Sequence, residues 1–342
     1  MTHCPGCASS ERGFMIDFVD ENQCQDFVAT IPTHSQMQWS HIKPNQVFLG
    51  ERLLYQMADY AEMEHRADTW RVAHTDAPLE TLAWHDVLKM RPGLFVDDLI
   101  EQKRLKMMMQ PIVSVVKEEQ ASVIGYEMLI RGMGEGSEII TPDRIFSVAR
   151  DQEALFRLDR ACRIEAITTA GLNNLSELIF VNFLPTSIYV PEHCLQTMLE
   201  AVQNFGVRKR QIVFEVVETE RVDDLAHLKR ILDFYRSQGF RYALDDVGQG
   251  FNDVSMLSQL EPDIIKLDRA FVREIDKDAD KRRVAKTISR LAQSIGSVRL
   301  AEGVETKAEA DVLLELGFGW QQGFYYGRPS FQPVPGEAKR AE

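Results

Sequence analysis

The sequence predicts an α/β protein built mainly on an eight-stranded β/α barrel. From about Met107 onward, strand-like apolar runs alternate with amphipathic helical stretches, the pattern of a largely parallel sheet wrapped by helices. Eight such runs can be marked, the number that closes a barrel. The first two are separated only by KEEQ, too short for the helical crossover that a parallel pair requires, so they form an antiparallel hairpin. The expected architecture is a modified TIM-type (β/α)8 barrel with an antiparallel first strand pair, plus a small N-terminal α+β module.

The runs, in order, are MMMQPIVSV, ASVIGYEMLIR, LIFVNFL, QIVFEVV, FRYALDD, PDIIKLD, SVRLAEG and GWQQGFYYG. Between the later ones, 153–172, 223–238 and 281–295 carry apolar residues at helical spacing, as at Leu225, Leu228, Ile231, Leu232 and Tyr235. Before Met107 this rhythm is absent. There GFMIDFV and TWRVAH read as strands, Glu51 to His65 as a helix, and Leu94 to Lys106 as a helix leading into the barrel. The division predicted is an N-terminal module over 1–92, a connecting helix over 93–106, the barrel over 107–330 and a flexible tail over 331–342. Trp39, Trp70 and Trp84 read as packing residues rather than a cofactor box.

The chain of 342 residues is 44% hydrophobic and 27% charged, enough to bury a full core. A net charge of -13 excludes broad binding to nucleic-acid backbones, which needs clustered Lys and Arg, so no DNA or RNA duplex is expected as a partner. A small anionic ligand is compatible with it if a metal supplies positive charge. No apolar run reaches the roughly 18 residues that span a bilayer, and the N-terminus lacks the order of a secretion signal, so a cytoplasmic location is expected. The five cysteines are an odd number, with Cys24, Cys162 and Cys194 scattered, which suggests reduced thiols. Cys4 and Cys7 form a CxxC beside His3, and His34, His41 or Cys24 are the residues available to complete a zinc site. A second paired cluster is not evident, and a reduced N-terminal segment is the competing reading.

Polar residues recur at the C-terminal ends of the proposed strands: Glu127, Asn182, Glu215, Asp245 with Asp246, Lys266, Glu302 and Gln322. In a β/α barrel those ends converge on the face where active sites lie. Any one of them alone reads more simply as a solvated residue or a helix cap, as Asp253 and Thr306 do, and Lys266 alone as a surface charge beside Asp268. Gathered in one cleft, the carboxylates would repel one another unless cations lie among them. All-oxygen donors favour magnesium or manganese over zinc. The adjacent Asp245 and Asp246 suggest two ions, and a metal pair about 3.5 to 4 Å apart serves phosphodiester cleavage.

These residues resemble the EAL-domain cyclic di-GMP phosphodiesterases, over nearly all of Gln110 to Pro329. The signature appears as Glu127, Met128, Leu129, Ile130 and Arg131, preceded by Gln110, Pro111 and Ile112. VNFLP, FEVVE, LDDVGQG, IKLD, AEGVE and QQGFYYGRP follow in order. The resemblance implies that Glu127, Asn182, Glu215, Asp245 and Asp246 hold two divalent cations, Mg2+ or Mn2+, with Lys266 and Glu302 positioning or activating water. It also implies that Gln322 completes the site, Arg131 contacts substrate phosphate and Gln110 a guanine. The implied reaction opens cyclic di-GMP to linear pGpG.

The chain departs from the family at Met128, where the signature has Ala, on the strand side facing away from Glu127. It departs again in the loop after the aspartates: DDVGQGFND stands for the usual DDFGTGYSS, with Val247 for Phe and Gln249 for Thr. In the family that loop is steadied by the acid corresponding to Glu218 and contributes to a homodimer through the barrel. Gly248 and Gly250 are retained, so its backbone geometry should be too. The rival readings are a silent receptor that binds the nucleotide or a partner protein through the same fold, and a barrel enzyme acting on another phosphate ester. The latter leaves Arg131, Gln110 and the motif spacings unexplained. By position, the N-terminal module would regulate the barrel or mediate its assembly.

Overall fold

The structure is a computed structural model, and it describes residues 13–31, 39–50, 53–55, 57, 69–75, 80–84, 86–87, 95–117, 120–134, 136, 138–151, 154–184, 191–216, 225–248 and 254–334. The chain divides into two compact units, Met1–Arg104 with Asp143–Ala161 and Leu105–Pro142 with Cys162–Glu342.

The first unit holds an antiparallel sheet of five strands, β1 (Gly13–Asp17), β2 (Trp39–Lys43), β3 (Gln46–Gly50), β4 (Arg71–His74) and β5 (Thr81–Ala83), in the order β2-β3-β1-β4-β5. The strands expected in GFMIDFV and TWRVAH are β1 and β4. β2, β3 and β5 are additional to the expected strands, their three to five residues being too few to establish a period. Helix α1 (Glu21–Ala29) follows β1, and the Asp20 carboxylate caps it by accepting from the Gln23 N–H at 2.9 Å. Phe18, Phe27, Trp70 and Trp84 are buried, and Trp70 meets the other three rings at centroid distances of 4.9, 5.1 and 5.2 Å. Trp70 and Trp84 are therefore packing residues, as expected. Trp39 instead stacks edge-on against His41. Of the helix expected over 51–65, the described residues Leu53, Leu54, Tyr55 and Met57 are helical and buried; the rest lie outside the described residues, as do Cys4, Cys7 and His34.

The helix expected over 94–106 is shorter. α2 spans Phe95–Glu101 and is stopped by Lys103 at φ 53, with the Arg104 N–H returning to the Leu99 carbonyl and the Lys103 N–H to that of Ile100. This double return is the Schellman arrangement, here with lysine in the left-handed position that glycine usually fills. The chain enters the barrel immediately afterwards, two residues before Met107.

The second unit is a closed barrel of eight strands. β6 (Leu105–Lys117) and β7 (Gln120–Met133) form the expected antiparallel hairpin, and the two-residue β8 (Ile139–Ile140) pairs with the end of β7 outside the barrel. Helix α3 (Pro142–Asp151), which from Asp143 onward belongs with the first unit, as does the start of the next helix as far as Ala161, is additional to the expected elements. It ends where the Ala154 N–H returns to the Ala149 carbonyl, so α4 (Leu155–Leu172) begins slightly later than the sequence suggests. There follow β9 (Leu178–Phe183), α5 (Pro191–Asn204), β10 (Ile212–Val216), α6 (Leu225–Ser237), β11 (Arg241–Val247), α7 (Val254–Leu260), β12 (Ile264–Leu267), α8 (Arg269–Val272), α9 (Ala279–Ser294), β13 (Val298–Ala301), α10 (Lys307–Glu315) and β14 (Trp320–Gln322). The barrel order is β6-β14-β13-β12-β11-β10-β9-β7, closed by the β6–β7 pairing. Every neighbour pair is parallel except the two that involve β6. On α6, Leu228, Ile231, Leu232 and Tyr235 are buried, the stripe expected of an outer helix.

The barrel interior is plugged by Ile112, Phe180, Val213, Ala243, Ile264 and Leu300, one from each of six strands, with Trp320 packed against them. Gly125 of β7 is part of this fit. A Cβ there would stand 3.1 Å from the Phe180 ring and 3.0 Å from the Leu178 carbonyl, so the missing side chain leaves room for the phenylalanine.

Candidate active site

Side chains on one face of a strand recur every second residue. Two positions beyond the plug, toward the C-terminal ends of the parallel strands, therefore lie the next inward-facing side chains: Asn182 after Phe180, Glu215 after Val213, Asp245 after Ala243, Lys266 after Ile264, Glu302 after Leu300 and Gln322 after Trp320. Glu127 follows Gly125 in the same way. On β6, which runs in the opposite direction, the equivalent step is backward from Ile112 to Gln110, and Gln110 pairs in register with Glu127.

The Lys266 ammonium is fully buried, which removes the surface-charge reading. It pairs with Glu215, with Asp245 at 3.1 Å and with Glu302 at 2.6 Å. Glu127 accepts from the Gln322 amide at 2.6 Å through Oε2 and faces the Asn182 amide at 3.3 Å through Oε1. Gln110 donates to the Gly327 carbonyl at 3.4 Å. Arg131 lies four residues beyond Glu127 on the same face of β7, half-buried, and Met128 is buried on the opposite face as expected. Glu218 lies outside the described residues.

The electrostatics follow from this crowding. Burial pushes the Glu215 carboxyl well above the usual carboxylate range, with Glu127 and Asp245 adding to it against the opposing pull of Lys266. Glu302 is likewise raised, by burial and then by Asp245. Burial works to lower Lys266, but Asp245, Glu215, Glu302 and Glu127 together outweigh it and hold the ammonium well above its ordinary value. Asp245 is held below its ordinary value despite burial, because Lys266 and hydrogen bonds from Glu302 and the Asp246 N–H favour its charged form. Among the described residues, no three acids, imidazoles or thiols are drawn together tightly enough to hold an ion as they stand. The acids surround the ammonium instead.

Asp246 is placed by a break in the β-ladder. Leu244 pairs with Ile265 and Val247 with Leu267, so Asp245 and Asp246 together oppose Lys266 alone. This bulge puts Asp246 in the left-handed region at φ 53, which aspartate tolerates better than most residues. Its carboxyl is raised to about 7 by burial, Asp245 and Asp268. Gly248, at φ 124, begins the following loop, and a Cβ there would meet the Phe271 ring at 2.6 Å, so that glycine keeps the geometry expected of it. Gly250, Gln249 and Asp253 lie outside the described residues.

Sequence reasoning assigned no role to Asp268, Glu309 or Gln321, all buried. Asp268 caps α8 by accepting from the Ala270 N–H at 2.6 Å. Glu309 completes a capping box with Thr306, whose cap role was expected. The Gln321 amide donates to the Ala310 and Phe318 carbonyls and accepts from the Tyr326 hydroxyl. The T-x-x-E spacing at Thr306 and Glu309 was the available signal for Glu309.

The family model for the EAL domain matches residues 96–329. Among solved structures, a standalone EAL protein from Vibrio cholerae O395 in its c-di-GMP bound form is 34% identical, with a TM-score of 0.61, covering 68% of this chain and 95% of that one. The PaMucR phosphodiesterase in complex with c-di-GMP is 26% identical at a TM-score of 0.61, covering 69% of this chain and 95% of that one. Among curated relatives, the cyclic di-GMP phosphodiesterase PdeF of Escherichia coli is 25% identical over 239 residues, 69% of this chain but 31% of PdeF. The probable cyclic di-GMP phosphodiesterase PdeG of the same organism is 29% identical over 219 residues, 63% of this chain and 43% of PdeG. This chain thus spans less than half the length of either. With the domain match running over more than half of its residues, the chain belongs to the EAL domain family.

Proposed function

We propose that this chain hydrolyses cyclic di-GMP to linear pGpG in a divalent-metal-dependent reaction. The observation that carries the proposal is the layer in which Glu215, Asp245 and Glu302 pair with the buried Lys266 ammonium, with Glu127 near enough to add to its field. One ammonium does not compensate these carboxyls, so that Glu215 and Glu302 are driven toward their neutral forms, and a divalent cation would supply the missing charge. The donors fit a hard ion: all are oxygens, and among the described residues the buried Glu215 Oε2 has no hydrogen-bond partner.

In this reading Glu127, Asn182, Glu215, Asp245 and Asp246 hold two cations, Mg2+ or Mn2+, and Gln322 orients Glu127. Bound cations supply the positive charge that activates water and neutralises phosphate oxygens. Lys266 holds Glu302 and Glu215 in place and presents positive charge toward the phosphate. Glu302, in its charged form, positions the attacking water and accepts a proton from it. Arg131 contacts phosphate and Gln110 a guanine. Glu218 steadies the loop after β11, through which two barrels pair as a homodimer. The N-terminal module, 1–92, regulates the barrel or mediates its assembly, and a truncation beginning near Pro92 with parental turnover and oligomeric state would remove both roles. Among the described residues no helix is long and apolar enough to cross a membrane.

Incubating the purified chain with cyclic di-GMP and Mg2+ or Mn2+, then separating the nucleotides, tests the proposal. Linear pGpG is expected, and persistent substrate overturns it. A Glu127→Ala variant should lose roughly 10²–10³-fold in kcat, and parental activity in that variant would sink the site assignment. The receptor reading draws on the closed arrangement of the acids about Lys266, and nucleotide binding without turnover would favour it.

A further inference from the structure

One buried carboxylate lies outside the proposed chemistry yet touches the segments that carry it. Glu309, in the first turn of α10, is 3% exposed. Its Oε2 accepts from the Glu305 N–H at 2.9 Å and the Thr306 N–H at 3.0 Å, and its Oε1 from the Glu274 N–H at 2.8 Å. The Thr306 bond belongs to the capping box. The Glu274 bond does not, since it reaches 35 residues back to the segment that follows α8. Glu274 is held there at φ 61, in the left-handed region.

These bonds join two segments that leave the barrel mouth side by side. One begins at Glu302, whose N–H is fixed to the Leu267 carbonyl at 3.1 Å and whose carboxylate meets Lys266. Only Gly303 and Val304 separate it from Glu305. The other begins at Asp268, which follows β12 directly, two residues beyond Lys266, and is in electrostatic contact with Asp246. They pack closely: a Cβ on Gly303 would stand 2.6 Å from that of Arg269. The loop bearing Glu302 is thus fixed at its near end by the sheet and at its far end by Glu309. Gln321, next to Gln322, donates to the carbonyl of Ala310, so the same turn of α10 also engages β14.

We propose that Glu309 is a positioning residue: it fastens the Glu302 loop to the segment after α8 and so fixes the Glu302 carboxylate against Lys266. The catalytic consequence rests on the proposed phosphodiesterase function; the fastening does not.

Glu309→Gln keeps size and one acceptor oxygen but turns an amide donor toward backbone N–H groups, breaking one side of the tie. Thr306→Ala removes the other half of the capping box without touching the Glu274 bond. In the full chain, hydrogen exchange read by mass spectrometry should quicken in peptides covering both 302–306 and 270–276 for Glu309→Gln, and around 306–309 only for Thr306→Ala. In turnover, Glu309→Gln should lower kcat by about tenfold with KM within about twofold, and Thr306→Ala should keep kcat even where its melting temperature falls as far. Unchanged exchange at 270–276 in Glu309→Gln overturns the fastening. Parental kcat in Glu309→Gln, or kcat losses in both variants that simply track melting temperature, overturns the positioning role. If the parent chain does not turn over cyclic di-GMP, the functional proposal fails, and the exchange experiment still decides whether Glu309 ties the two segments.

Discussion

The two sheets of this molecule bury their interiors in different ways. The antiparallel sheet of the first unit closes over an apolar cluster in which Phe18, Phe27, Trp70 and Trp84 pack edge to face. The barrel closes over an apolar plug and then, one step along the same inward face, over a layer of carboxylates, amides and one ammonium. Aromatic packing is stable wherever shape allows it. A buried charged layer is tolerated only while its charges compensate one another, so a single truncation there costs more than its lost contacts.

The sharpest way to break this comparison is Lys266→Met. In the metal-free chain it leaves Glu215, Asp245 and Glu302 facing one another without a counter-charge, and should destabilise that chain by about 3–5 kcal/mol in urea unfolding at neutral pH in the presence of a chelator. A loss below about 1 kcal/mol would mean that the layer is not desolvated in solution. Trp84→Ala tests the other side. It removes a fully buried ring and should cost about 3 kcal/mol, read as faster limited proteolysis within 13–87. Asp20→Ala, which removes the cap of α1, should cost about 1 kcal/mol by thermal melting.

The smallest effect is a matter of pH. Asp278 caps α9, and backbone hydrogen bonds from Lys281 and Asp280 hold its carboxyl below its ordinary value. A depressed folded-state pKa contributes stability above the unfolded-state value, and that contribution disappears as pH falls through the folded one. Asn caps equally well but does not titrate. Asp278→Asn should therefore match the parent at neutral pH and lose slightly less melting temperature on acidification; identical acid limbs would show that this cap is not felt in solution.

Most of the barrel and its polar layer were legible in the sequence because one rule governs both. The period of two that marks Phe180 and Val213 as interior also places Asn182 and Glu215. What could not be read depends on local backbone. The bulge that turns Asp246 into the left-handed region has no signature in two adjacent aspartates, and the lysine that stops α2 occupies a position where glycine is the usual sign. In the first unit, the short β2, β3 and β5 find their order only through pairing with distant strands.

The reversed direction of β6 has a consequence for how the molecule tolerates changes in length. Strands β9 to β14 deliver their polar residues at or near their ends, where an insertion in the next loop need not disturb what precedes it. Gln110 is delivered from inside a strand paired on both edges, to β7 and to β14. Adding one residue within β6 ahead of Gln110 would exchange inside for outside along the strand and present Met109 to the barrel mouth. Extra residues between Lys117 and Gln120, by contrast, enter at the end of the hairpin remote from that mouth. That junction is where a tag or a reporter domain could be inserted while β6 and β7 keep their register.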